Sequence, residues 1–309
     1  MRDIIIIGGG LTGMSAAWEL ERQGVAYTLI EVKARLGGSI TTERRSGFIL
    51  DSTAFVLEKY SAWGFLEELD LDDALVPIGT YRDGQLVIFR DGTQTLVDAV
   101  ARRISSAAVM KRMAVSSIGR IDDKCYGVCL ENGLMLSARG VIVTAPARYA
   151  EHMLHSLDPE IALSLLDYRY DPTVRVSLGY KRDQAREIVS SEGLKFIEVY
   201  DMPERVPTEH VLVRAGVRLE GAIKSPQAAL NYVKRRIPSK PVMQWAAYWA
   251  EADPLTRFLP EHAALMDEIE ARLPPQVVIA GSDYRARRLD QQVKHGRAAA
   301  RKLVAALQR

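Results

Sequence analysis

Gly8, Gly10 and Gly13 stand at the spacing G-x-G-x-x-G, and Glu31 follows eighteen residues after the last of them. Together they match the fingerprint of a loop that holds a dinucleotide. Gly8 permits a tight turn, Gly10 lets backbone approach a pyrophosphate with no Cβ in the way, and Gly13 lets helix and strand pack closely. The next helix would begin with free N–H groups at Leu11, Thr12 and Gly13, and its dipole favours negative charge there. Glu31 would accept hydrogen bonds from the adenosine ribose hydroxyls, and its charge would repel a 2′-phosphate. The fingerprint does not distinguish NAD from FAD.

Such residues need a strand, a turn, a helix and a second strand to position them. Residues 4–7 are four isoleucines, the pattern of a strand buried on both faces. Met14, Ala17, Trp18 and Leu20 keep a helical period that stops near Gly24, and residues 27–30 read as the second strand. Farther on, the pattern predicts a short helix over 56–70 and a hairpin over 80–90 turning at Asp83-Gly84. A helix over 93–104, meander strands at 115–121 and 126–130 with a turn at Asn132-Gly133, and a buried strand at 141–144 follow. Runs at 174–180, 196–200, 211–217 and 242–249 predict an antiparallel sheet of different texture. A strand at 277–280 and a helix from about Gln291 to Leu307 close the chain in the style of its beginning.

Beyond Glu31, the run Glu31-x-x-x-Arg35-x-Gly37-Gly38-x-x-x-Thr42 resembles the FAD signature of the flavin amine oxidase and protoporphyrinogen oxidase superfamily, which includes compact, renalase-sized members. Four further segments resemble that family in order: Asp91 to Val97 its glycine-led helix start, Val115 to Ile118 its adenine-side strand, Val141 to Pro146 its V-V-x-T-x-P strand, and Ala280 to Asp283 with Gly296 to Ala299 its terminal signature. The resemblance implies an α/β fold, a Rossmann-like FAD-binding domain with a second, smaller antiparallel-sheet α+β substrate domain. It assigns residues 1–55, 91–150 and 272–309 to the first and residues 56–90 and 151–271 to the second. It also implies noncovalent FAD, held by Gly8, Gly10, Leu11, Thr12, Gly13, Glu31, Val32, Arg35, Gly37, Gly38, Ser39, Thr42, Val115, Ala145, Gly281, Asp283, Gln292 and Val293. In that scheme Asp283 reaches toward the ribityl chain or pyrophosphate, and the last helix presents its N-terminus, near Val293, to the reduced isoalloxazine.

The departures bear on function. Ser39 replaces the family's arginine after the glycine pair, Asp51-Ser52-Thr53 replaces Asp-x-Gly, and Arg288 stands where monoamine oxidases place a cage tyrosine. The stretch from Asp51 to Asp91 is also short for the family. Flavin chemistry asks the protein for position, exclusion of water and local field, so the absence of an acid–base triad does not argue against an enzyme. Tyr200, Trp245, Tyr248 and Trp249 are candidates for a wall facing the flavin, with packing in the core as their ordinary alternative. Arg285, Arg287 and Arg288 form a basic stretch that would favour an anionic substrate, a carboxylate for example, or else a solvated loop.

The chain has 309 residues, 41 Lys and Arg against 39 Asp and Glu, and two cysteines, Cys125 and Cys129. Balanced charge argues against a nucleic-acid binder, and two cysteines cannot build a disulfide framework. The five histidines show no metal-ligand spacing, and no apolar run reaches the roughly 18 residues of a membrane span. A reduced, soluble, cytoplasmic protein acting on a small molecule is expected. Three functions are consistent with the residues: an FAD-dependent oxidoreductase taking a hydride from a C–N or C–C bond, with oxygen or another acceptor as the final oxidant; a renalase-like flavoprotein oxidising NAD(P)H; or a flavin-binding protein without turnover. Substrate, acceptor and oligomeric state are not encoded in any motif.

Overall fold

The structure, a computed structural model, describes residues 2–184, 191–251 and 253–308. In chain order its elements are β1 (Arg2–Ile7), α1 (Leu11–Gln23), β2 (Tyr27–Glu31), β3 (Thr42–Arg45), β4 (Phe48–Asp51), β5 (Leu57–Lys59), α2 (Phe65–Glu68), β6 (Leu75–Tyr81), β7 (Gly84–Phe89) and α3 (Gln94–Ala101). Then come β8 (Val109–Lys111), β9 (Val115–Asp122), β10 (Cys125–Leu130), β11 (Met135–Val143), α4 (Ala147–Leu154), α5 (Pro159–Leu166) and β12 (Thr173–Lys181). The last are β13 (Phe196–Tyr200), β14 (His210–Arg218), α6 (Pro226–Lys234), β15 (Met243–Trp249), α7 (His262–Arg272), β16 (Val277–Ile279) and α8 (Leu289–Leu307).

Strands β1 and β2 join β8 to β11, from residues 109–143, in one sheet of order β8-β2-β1-β11-β10-β9, with β16 added parallel to β11. Alternation along β1 divides its isoleucines between two cores. Ile4 and Ile6 face α1 and α8, while Ile5 and Ile7 face β9, β10 and α4. That is why an unbroken β-branched run, rather than an alternating one, belongs in a central parallel strand. Each such side chain contributes about 1.5–3 kcal/mol on burial. Helix α1 ends where Gly24 adopts φ +65° and its N–H returns to Glu21, the left-handed cap that glycine accepts without a Cβ penalty.

Strands β12 to β15 form a separate antiparallel sheet in the order β13-β14-β12-β15, the four runs of the sequence in predicted texture. One of its faces packs on α6, and the other meets β4 and the segment after it. The predicted helix over 56–70 is largely replaced. Residues 57–59 pair with β7 in a three-stranded sheet, and only Phe65–Glu68 is helical. Leu66 and Leu69 keep a helical period, but Leu57 aligns opposite Val87, and that pairing with a ready-made strand decides the local structure. Among the described residues, no helix is long and apolar enough to cross a membrane.

Candidate cofactor and substrate site

The glycines of the fingerprint separate into two kinds. A Cβ on Gly8 would come within 2.7 Å of Thr144 Oγ1, and one on Gly13 within 1.9 Å of the Gly8 carbonyl, so internal packing explains both. A Cβ on Gly10 would meet no protein atom within 4 Å, and Gly10 has an ordinary extended backbone (φ −71°, ψ 176°). Neither conformation nor packing requires glycine there. Helix α1 starts at the same point with no side-chain cap and no acid in its first turn, so Leu11, Thr12 and Gly13 offer N–H groups without a side-chain partner.

A second glycine loop docks on the first. The Gly37 N–H donates to the Gly9 carbonyl at 2.7 Å, and a Cβ on Gly38 would lie 3.2 Å from Gly10 Cα. Glu31 is buried at the end of β2, where its carboxylate accepts from Gly9 N–H at 2.6 Å and Lys33 N–H at 2.7 Å. Those bonds fix the carboxylate beside Gly9 and leave lone pairs for further donors. Val115 opens β9 close by, since Met113 N–H donates to the Glu31 carbonyl; Val32 is exposed next to it. Ala145 follows Thr144 at the end of β11, and its carbonyl accepts from Tyr284. The residues present therefore fit an adenine dinucleotide: an open cradle at Gly10, an uncapped helix start, and a buried acceptor at Glu31.

Other residues that the resemblance gives to the cofactor also have protein partners. Arg35 donates to the carbonyls of Leu36, Gly38 and Ile40, which shapes the Gly37-Gly38 loop from within. Burial lowers its pKa, and Glu31 opposes that shift. Thr42 donates to Asp51 and accepts from Gln94 N–H, tying β3 to the start of α3. The Ser39 carbonyl accepts from Ser52. Gly281 follows β16 at φ +152°, near the Thr144 carbonyl. Asp283 follows β16 and is buried. Its carboxylate accepts from Ala147 N–H, Tyr170 and Ser282, and burial raises its pKa. Tyr168 donates to the Asp283 carbonyl and pairs with His262 Nε2 at 2.8 Å.

The last helix also starts earlier than predicted. Gln291 Oε1 accepts from the N–H groups of Arg287 and Arg288, so α8 begins at Leu289. The Gln292 N–H is then engaged by the Arg288 carbonyl, and Val293 lies beyond the first four N–H groups of the helix. A Cβ on Gly296 would lie 2.2 Å from the Thr12 carbonyl, which sets how closely α8 crosses α1.

The four aromatic candidates divide by strand parity. Trp245 and Trp249 are on the β15 face that meets β4, and Tyr200, whose ring lies 4.5 Å from that of Phe55, joins them. Lys33 Nζ stands 3.3 Å above the Trp249 ring. Tyr248 has the opposite parity, shares the face of Ala246, and is exposed. Two of the three arginines before α8 have acidic partners: Arg285 pairs with Asp267 and Glu270 and Arg288 with Asp290, while Arg287 donates to the Arg257 carbonyl.

Sequence reasoning registered Asp51 only as a departure, and its partners make it a hub. It is fully buried, pairs with the equally buried Arg205 at 3.1 Å, and accepts from Thr93 N–H at 3.0 Å. Arg214 donates to the Asp51 and Thr53 carbonyls, and the Phe55 ring lies between the two guanidiniums, 4.7 Å from Arg205 and 4.4 Å from Arg214. The partners are 163 residues apart for Arg214, beyond the range of any spacing rule.

Comparison with known proteins agrees with this picture. The sequence profile of an NAD(P)-binding Rossmann-like domain matches residues 6–69, and that of flavin containing amine oxidoreductases matches residues 79–304. Coproporphyrinogen III oxidase of Propionibacterium freudenreichii subsp. freudenreichii is 33% identical over 78 residues, 25% of this chain and 15% of that protein. The same enzyme of Bacillus subtilis (strain 168) is 33% identical over 94 residues, 28% of this chain and 20% of the relative, so the matches span well under two thirds of either. A crystal structure from Exiguobacterium sp. 255-15, provisionally named a protoporphyrinogen oxidase, superposes with TM-score 0.78 at 15% identity, over 100% of this chain and 99% of that one. Cyclohexylamine oxidase from Brevibacterium oxydans IH-35A superposes with TM-score 0.69 at 15% identity, over 100% of both chains. Likeness at that identity is one of fold, but the profile match extends over most of the sequence: the chain belongs to the family of flavin containing amine oxidoreductases.

Proposed function

We propose that the chain binds FAD noncovalently and oxidises a small-molecule substrate. The observation that carries this reading is Gly10, a glycine that neither packing nor conformation demands, beside an uncapped helix start and a buried carboxylate. The N–H groups of Leu11, Thr12 and Gly13 would hold the pyrophosphate, Gly37-Gly38 would offer it a second backbone surface, and Glu31 would accept from the ribose. Bound there, FAD supplies a two-electron acceptor for a hydride removed from a C–N or C–C bond, with oxygen or another acceptor taking the electrons onward. The chain's own part is positioning and exclusion of water, for which the face carrying Tyr200, Trp245 and Trp249 is suited. Residues 1–55, 91–150 and 272–309 would serve as the cofactor unit, and residues 56–90 and 151–271 as the substrate side. The main sheet, which joins β1 and β2 to β8–β11 and β16, supports that division.

An anaerobic panel tests the reading. Purified protein is expected to be yellow, and its colour to bleach with an amine or a porphyrinogen. Bleaching by NADH alone would indicate a nicotinamide-oxidising flavoprotein. A held flavin that nothing in the panel reduces would indicate a binding protein without turnover.

A further inference from the structure

Two buried polar groups on the inner face of the second sheet lack partners, and they face each other. Ser177 on β12 is directly opposite Arg214 on β14 and opposite Trp245 on β15, so the three side chains share one face. Ser177 is 1% exposed and Arg214 3%, yet Ser177 Oγ and Arg214 Nε have no hydrogen-bond partner. Buried polar atoms are almost always paired, because an unmet buried donor loses its hydrogen bonds to water with nothing in exchange. Here two occur side by side, at the wall predicted to face the cofactor.

The charges point the same way. Two guanidiniums, Arg205 and Arg214, are buried around Phe55, and Asp51 pairs with only one of them at 3.1 Å. The carboxylate nearest Arg214 is that of Glu198, half exposed and 3.9 Å away, outside hydrogen-bond reach. Arg175, two residues before Ser177 and on the same face, is partly buried and leans on Asp253 at 3.5 Å. A buried cation is costly without an anion beside it, and burial lowers the pKa of Arg214. The Arg214 bonds to the Asp51 and Thr53 carbonyls hold the guanidinium in place while Nε stays free. A carboxylate would meet all of these needs: one oxygen could accept from Arg214 Nε and the other from the Ser177 hydroxyl.

We infer that Arg214 and Ser177, with Arg175 adding positive field, anchor a carboxylate of the substrate on the inner face of the second sheet. The inference rests on the oxidoreductase reading only in calling the occupant a substrate. Trp245, beside Ser177, and Tyr200, near Arg214, would then contact the apolar part of the same molecule.

Calorimetric titration of the purified protein with benzoate and with its neutral isostere benzamide tests this without any turnover. Benzoate is expected to bind at least about tenfold more tightly than benzamide. That preference should fall about tenfold in Arg214→Lys and several-fold in Ser177→Ala, with benzamide binding unchanged. Where Arg214→Lys does not fold, since that buried side chain also holds two carbonyls, Ser177→Ala decides alone. Equal affinity for the two probes, no binding of benzoate by the wild type, or an undiminished preference in Ser177→Ala would overturn the inference. Colour reports separately on the underlying reading: colourless protein with intact benzoate selectivity would sink the flavin function and keep the anion site, and yellow protein without selectivity would do the reverse.

Discussion

Gly10 and Gly13 are three residues apart and answer to different constraints. Gly13 is held by the fold, because a methyl group there would collide with the Gly8 carbonyl. Gly13→Ala is therefore expected to destabilise the protein by about 3 kcal/mol or more, read as a lower denaturant midpoint with unchanged slope. Gly10→Ala should leave that midpoint within about 0.5 kcal/mol of wild type. Asp51 makes a comparable contrast with a surface acid. Asp51→Ala leaves Arg205 buried without its carboxylate and is expected to cost about 3–5 kcal/mol by the same measurement. Removing Asp123, an exposed partner of Arg120, should cost less than about 1 kcal/mol. Residue types at fixed spacing announced Gly8 to Glu31 because the loop is local. Asp51 stood out only as a departure, and Arg205 and Arg214 not at all, because their meaning arises only when distant segments come together.

At the scale of elements, the crossing of α1 and α8 holds the cofactor loop in place. Gly296 lies against the Thr12 carbonyl and Ser15, and Arg297 pairs with Glu19 from the same helix as Thr12. Gly296→Val would force the helices apart just where the N–H groups of α1 begin. The expected outcome is a loss of about 2–4 kcal/mol in urea unfolding together with weaker flavin retention. The central strands and α1 were legible because their periodicity is set by burial against long partners. The start of α8 was misplaced because its cap is a glutamine, Gln291, reaching back to two N–H groups, a pattern that the alternation of apolar residues does not register. The stretch 56–70 read as helix because its leucines keep that period, while pairing of Leu57–Lys59 with β7 depends on a strand some thirty residues away.

For the molecule as a whole, the junction of α7 with the end of β16 makes stability depend on pH. Burial lowers the pKa of His262 below its ordinary 6.5, helped by Arg287, Arg285 and Arg257, and against the bond to the Asp283 carbonyl; burial lowers His295 too. A histidine kept neutral in the folded state binds a proton more readily when unfolded. Its contribution is thus complete above pH 6.5 and is lost as the pH falls from 6.5 toward the lowered folded value. The melting temperature is expected to drop between pH 7 and pH 5, and His262→Gln to flatten that drop; a slope identical in the variant would remove His262 as its source. The division between the two larger sheets was legible in the sequence as a change of texture, whereas the face that each aromatic occupies was not: Trp245 and Tyr248 are both aromatics of β15 and lie on its opposite sides.

The most direct test of the account is the flavin content per chain of Gly10→Leu, measured by absorbance beside wild type after identical purification, with melting of the flavin-stripped proteins as a check on folding. The account predicts bound FAD in wild type, little or none in Gly10→Leu, and matching melting temperatures for the two stripped chains. Equal flavin content in the variant, with its fold intact, would contradict it.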